Sequence, residues 1–291
     1  TAVLIERLVE EGRFSRSGRI RDLSPRLATR MHQEYSELTL DHCLAHRAGF
    51  VGSDDTFDGI PTRSLRLAGA NARFDYARRM LARKPLHPIG TAYDYSNVGH
   101  TIAAVVAEEK LRQPWETLMT RYVYEPLGMT TVGYGAAGTA RRVDQPWPHK
   151  MEGDVQKPVP PGPASDNAEL IGPAARIHCS MDDWAKFAAE ILRTASDNKD
   201  SQTLLGTAAR KRLLTPVFEG YGYAGGWISR RDRIYGKVLS HTGSNTLNFA
   251  HAYLYPDKQF GVLIATNSGS PSANNACSIA KMTQLDAETQ K

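Results

Sequence analysis

The spacing of apolar residues changes once along this chain, at Pro216, and that change constrains the fold more than any other feature. Before it, apolar residues recur at helical intervals: Ala2, Val3, Ile5, Leu8 and Val9 first, then within 38–46, 74–83, 98–110 and 115–122, and from a Ser180 cap to Arg193. After it, 225–229, 238–241, 248–255 and 259–267 alternate or run apolar with β-branched and aromatic residues, and Pro256-Asp257 supplies a turn. The pattern predicts an antiparallel sheet, a C-terminal helix from about Ser272, and a mixed α/β (α+β) chain. Residues 1–40 and 216–291 form one discontinuous α/β subdomain in this reading, and 41–215 a mostly helical one. The Gly- and Pro-rich stretch 135–173 reads as a long irregular loop.

Composition removes several function classes. The longest apolar runs, Thr101–Ala107 and Phe260–Thr266, are far shorter than the roughly 20 residues of a membrane span. Lys and Arg outnumber Asp and Glu by 36 to 31, yet the basic residues are scattered pairs such as Arg78-Arg79 and Arg141-Arg142, without interleaved aromatics. That argues against a nucleic-acid partner. Cys43, Cys179 and Cys277 are odd in number and far apart, so they read as small buried residues and not as a disulfide framework. Gly133 to Gly138 has dinucleotide-loop spacing but no preceding strand. Asp41, His42, Cys43 and His46 have metal-like spacing, a weaker reading than a structural role for His46.

Two segments carry the chemistry: Tyr95-Ser96-Asn97 just before a helix, and His241-Thr242-Gly243 on a strand, followed by Ser244. With them the chain resembles the penicillin-recognising serine hydrolases: class C β-lactamases, D-alanyl-D-alanine carboxypeptidases, D-aminopeptidases and related esterases. Tyr95 to Asn97 looks like that family's Tyr-x-Asn motif, and His241 to Gly243 its Lys/His-Thr-Gly motif. Leu44-Ala-His-Arg-Ala-Gly-Phe, Tyr124-Glu-Pro-Leu-Gly-Met and Gly172-Pro-Ala-Ala with Ser180-Met-Asp-Asp-Trp are similar to further family segments, in the family's order. The resemblance implies a β-lactamase/transpeptidase-like fold and a catalytic set of Tyr95, Asn97 and His241. It also implies substrate contacts from Thr242, Gly243 and the Ser244 N–H as an oxyanion donor. A phenol of ordinary pKa near 10 can relay a serine's proton if nearby cations lower that pKa or pass the proton on. Asn97 can both donate and accept.

The family's nucleophile lies in a Ser-x-x-Lys helix whose continuation looks like Thr1-Ala2 and Leu8-Val-Glu-Glu-Gly12. The resemblance therefore puts the serine and lysine within the half dozen residues before Thr1, along with N-terminal strands of the sheet. Internally, Ser196-x-x-Lys199 sits in a polar loop, and Ser278-x-x-Lys281 lies on a C-terminal helix after the strands, out of family order. A histidine at 241 is largely neutral near pH 7 where a lysine would be charged, which favours a peptide or ester over a β-lactam. The expected partner is a small-molecule or peptide substrate, with no metal or organic cofactor. The resemblance implies a periplasmic or secreted location, although the residues leave the compartment open. A catalytically silent binding or scaffold protein on the same fold is the rival reading.

Overall fold

The computed structural model describes residues 1–50, 56–57, 60–61, 69–195, 203–218 and 220–289. Its helices are α1 (Ala2–Glu10), α2 (Ile20–Leu23), α3 (Pro25–Ala28), α4 (Leu40–Leu44), α5 (Gly69–Leu81), α6 (Asn97–Leu111), α7 (Trp115–Met119), α8 (Gly172–Ala175), α9 (Met181–Ala195), α10 (Thr207–Leu214) and α11 (Pro271–Thr289). The strands are β1 (Thr56–Phe57), β2 (Ile60–Pro61), β3 (Gly133–Tyr134), β4 (His149–Glu152), β5 (Val155–Pro158), β6 (Ile177–His178), β7 (Tyr223–Ala224), β8 (Trp227–Asp232), β9 (Gly236–Ser244), β10 (Phe249–Tyr255) and β11 (Phe260–Thr266).

Helix α1 buries Val3, Leu4, Ile5 and Leu8 and packs on α10, α6 and the π-helical turn Thr120–Tyr124. Gly12 closes it at φ +69°, a conformation open to glycine without side-chain strain, and the Arg13 N–H donates to the Leu8 carbonyl oxygen at 2.9 Å. One residue breaks the apolar pattern. Glu6 is buried, and its carboxylate accepts from Arg16 at 2.6 Å and from Arg212 at 2.9 Å, which ties α1 to α10. Every residue of α6 from Val98 to Glu108 is buried. Gly99 lets α6 press on α4, since a Cβ there would run into the Cys43 carbonyl.

The five-stranded sheet has the order β11-β10-β9-β8-β7, every neighbouring pair antiparallel. The sheet and the mixture of helices agree with the sequence reading, and two details correct it. Gly225 and Gly226, read as the start of a strand, form the turn between β7 and β8, at φ +57° and +94°. The stretch read as irregular holds the β4–β5 hairpin, turned at Gly153 with φ +61°. Its strands are exposed on nearly every residue, so no alternation marked them. Among the described residues, β11 has β10 as its one strand partner, and no helix is long and apolar enough to cross a membrane.

Candidate active site

Ser96 caps α6, its Oγ accepting the Val98 N–H at 3.2 Å, so Tyr95 projects from the chain just before the helix begins. His241 lies within β9, and its ring centroid is 6.4 Å from that of Tyr95. Beneath them, His46 lies 4.3 Å from Tyr95 and 4.4 Å from Tyr223, centroid to centroid, and His100 lies 5.2 Å from His46. Tyr93 stacks on Tyr221 at 4.4 Å along one side. Of these surrounding rings only His46 drew notice in the sequence, as part of a structural segment. The signal for the others was weak: Tyr93 is two residues from Tyr95, His100 is one helical turn beyond Asn97, and Tyr221 and Tyr223 lie far away in sequence.

The hydrogen bonds settle two tautomers. His241 Nδ1 is 2.5 Å from the Gly226 carbonyl oxygen, which only accepts, so Nδ1 carries the hydrogen and Nε2 keeps its lone pair. His46 is the reverse: Nδ1 accepts the Ser96 N–H at 3.2 Å, which leaves the hydrogen of the neutral ring on Nε2. Burial lowers the pKa of all three histidines. His46 is pushed down to about 3, with the nearby His241 adding to the effect, and His100 falls well below 6.5 for the same reasons. Tyr95 keeps 40% of its surface exposed, but the rings crowded against it raise its phenol above the usual 10. Among the described residues burial is what sets this direction; the lysine that the sequence reading places before Thr1 lies outside them. Tyr95 is a protonated phenol at neutral pH, suited to donating or relaying a proton.

These shifts give an expected pH dependence. The histidines are neutral in the folded protein, whereas the unfolded chain binds a proton at each near pH 6.5, so acid favours unfolding. Stability should fall as pH drops below about 6.5, with His46 contributing about 1.4 kcal/mol per pH unit until its folded-state value near 3 is approached. Urea midpoints at pH 7 and pH 5 test this. Equal midpoints would contradict buried neutral imidazoles.

On β9, Thr242, Gly243 and Ser244 pair with His251, Ala250 and Phe249 of β10, while pairing with β8 stops at Ser240. The His-Thr-Gly-Ser segment thus overhangs β8, with part of its backbone edge outside that ladder. Side chains alternate across a strand, so Thr242 faces away from His241. The Ser244 hydroxyl closes the following turn, donating to the Asn248 carbonyl oxygen at 2.8 Å and accepting the Thr246 N–H at 2.9 Å. Asn97 is the first residue of α6 and is half-buried.

The family model described as Beta-lactamase matches residues 1–281. The chain belongs to the β-lactamase family. Protein flp of Staphylococcus aureus (strain COL) is 20% identical over 275 residues, covering 93% of this chain and 51% of that protein. The chain thus spans about half the length of the curated relatives it matches. An octameric penicillin-binding protein homologue from Pyrococcus abyssi superposes with a TM-score of 0.74 at 19% identity, covering 97% of this chain and 63% of that one. A D-stereospecific amidohydrolase from Streptomyces sp. gives 0.71 at 16% identity, covering 93% and 81%. At these identities the likeness establishes the β-lactamase/transpeptidase-like fold.

The remaining sequence readings separate in this family's fold. The four residues with metal-like spacing go to different tasks: Asp41 pairs with Arg16 at 2.7 Å, His42 caps α4 through Thr39, Cys43 is in the core and His46 lies under Tyr95. Ser278 is on α11, its Oγ donating to the Asn274 carbonyl oxygen at 3.3 Å, and Lys281 sits 4.6 Å over the Tyr253 ring. That helix packs on β10 and β11. Ser196 and Lys199 lie outside the described residues.

Proposed function

We propose that the protein is a serine hydrolase that cleaves an amide or ester through an acyl-serine intermediate. The supporting observation is the approach of Tyr95, at the start of α6, to His241 on β9, with ring centroids 6.4 Å apart although the residues are distant in sequence. In this reading the nucleophilic serine and its lysine belong to a Ser-x-x-Lys preceding Thr1. Helix α1, which that segment would precede, packs on α6, the helix that carries Asn97 and His100.

The serine oxygen bonds to the substrate carbonyl carbon, and its proton passes by way of the lysine and Tyr95 to the leaving nitrogen or oxygen as the old bond breaks. Water then adds to the acyl-serine, releasing the acid and returning the proton to serine. Asn97 holds the substrate amide. Thr242, Gly243 and the Ser244 N–H line the strand edge where the substrate lies, the last of these facing the developing oxyanion. Because His241 is neutral, this strand offers a substrate carboxylate no fixed charge at that position. That favours D-amino-acid amides, peptides and short-chain esters over β-lactams.

The test uses the full-length protein with a chromogenic D-amino-acid amide, a chromogenic short-chain ester and a fluorescent penicillin, followed by peptide mapping. Turnover of amide or ester ahead of the penicillin, and label on a serine before Thr1, are expected. Faster penicillin hydrolysis would overturn the substrate order. Neither turnover nor label on any substrate would establish the rival, a silent binding protein.

A further inference from the structure

We propose that His46 is the positioning residue of Tyr95, gripping the backbone on both sides of that tyrosine and supporting its ring from beneath. This rests on the reading of Tyr95 as a proton-transfer group. The Asp94 N–H donates to the His46 carbonyl oxygen at 2.8 Å, and the Ser96 N–H donates to His46 Nδ1 at 3.2 Å. One residue therefore holds both peptide N–H groups that flank Tyr95, while its imidazole lies 4.3 Å from the phenol ring at a tilt of 39°.

Two features make the choice of residue informative. His46 adopts φ +56°, a left-handed conformation that costs a side-chain-bearing residue some strain. That conformation lets its carbonyl and its ring address the same short segment. In addition, Nε2 is buried with no hydrogen-bond partner among the described residues, and the Tyr223 ring stands edge-on 4.4 Å from the imidazole. A buried N–H without a partner is costly, and an apolar side chain of similar size would fill the space without that cost. What an apolar side chain lacks is an acceptor for the Ser96 N–H. The Nδ1 lone pair is the property that an imidazole supplies at this position.

His46→Gly and His46→Asn separate this role from packing. Glycine tolerates the left-handed backbone but has no acceptor, whereas asparagine tolerates it and carries Oδ1 near the place of Nδ1. In the full-length protein, His46→Gly should lower kcat by about 10- to 100-fold, the range expected for a misplaced reacting group. KM should change by less than about threefold, and His46→Asn should restore kcat to within about fivefold of wild type. Hydrogen exchange at the Ser96 amide is the readout independent of turnover. It should be slow in wild type and His46→Asn and at least about tenfold faster in His46→Gly. Equal kcat in the two variants, unchanged kcat in His46→Gly, or Ser96 exchange indifferent to the substitution would each overturn the proposal. If the wild type turns over no substrate, the hydrolase reading fails by itself, and the Ser96 exchange pattern alone decides whether His46 grips the segment.

Discussion

Replacing Tyr95 with Phe should slow acylation by about 10²- to 10⁴-fold, the usual worth of a positioned acid or base. The change removes one hydroxyl from a ring that is 40% exposed, so the packing of His46 and Tyr223 around it should survive and the thermal midpoint should hardly move. The acid limb of the wild-type rate should also fall below the 6.5 of free imidazole, because burial lowers His241 and keeps its Nε2 lone pair available. Single-turnover labelling by the fluorescent penicillin, with ester turnover across pH, measures both. Equal acylation rates in wild type and Tyr95→Phe would remove Tyr95 from the proton path, whatever its position.

Arg73→Leu should destabilise the fold by about 3–5 kcal/mol, the usual consequence of removing one partner from a buried ion pair. The Arg73 side chain is fully buried, donating to Glu108 at 2.6 Å and to Glu116 at 2.9 and 3.0 Å. Glu108 also accepts the Trp115 N–H at 2.8 Å, so the same carboxylate joins α5, α6 and the start of α7. Without the guanidinium, the Glu108 carboxylate stays buried without its partner charge. Urea unfolding at pH 7 measures the loss. Arg26→Ala serves as the contrast, because Arg26 reaches Glu109 at 2.8 Å from an exposed position where solvent screens the pair. A loss from Arg73→Leu as small as that from Arg26→Ala would show that the buried cluster does not hold these helices together.

The sheet was legible because its segments run apolar with β-branched and aromatic residues and are broken by the Pro256-Asp257 turn, and α9 was legible through its Ser180 cap, whose Oγ accepts the Asp183 N–H at 3.2 Å. Tyr95, Asn97 and His241 could be named because short motifs carry them. Most of the surrounding rings could not: His46 and Tyr223 reach Tyr95 from distant segments, and Tyr93 and His100, though close in sequence, join the cluster only through His46 and Tyr223. Glu6 was hidden for a similar reason: within an apolar helix its carboxylate looks like a surface residue until Arg16 and Arg212 arrive from elsewhere. The β4–β5 hairpin left only its Gly153-Asp154 turn as a clue, as both faces of its strands meet water.

That hairpin is held at its base and free at its tip. His149 donates its main-chain N–H to the Leu247 carbonyl oxygen at 3.3 Å, Asn267 Nδ2 reaches the Trp147 carbonyl oxygen at 2.8 Å, and Asn245 Nδ2 reaches Asp166 Oδ1 at 2.8 Å. The rim beyond Ser244 is thus moored to the crossing segment at both ends of a loop whose outermost turn touches little. Length changes and proteolytic cuts near Gly153 would fall outside the moorings, so this turn can vary without loosening the strand edge. The anchors at Trp147, His149 and Asp166 have no such freedom, and under the proposed function a substrate group extending past Gly243 would meet a border set by residues nearly a hundred positions earlier in the chain.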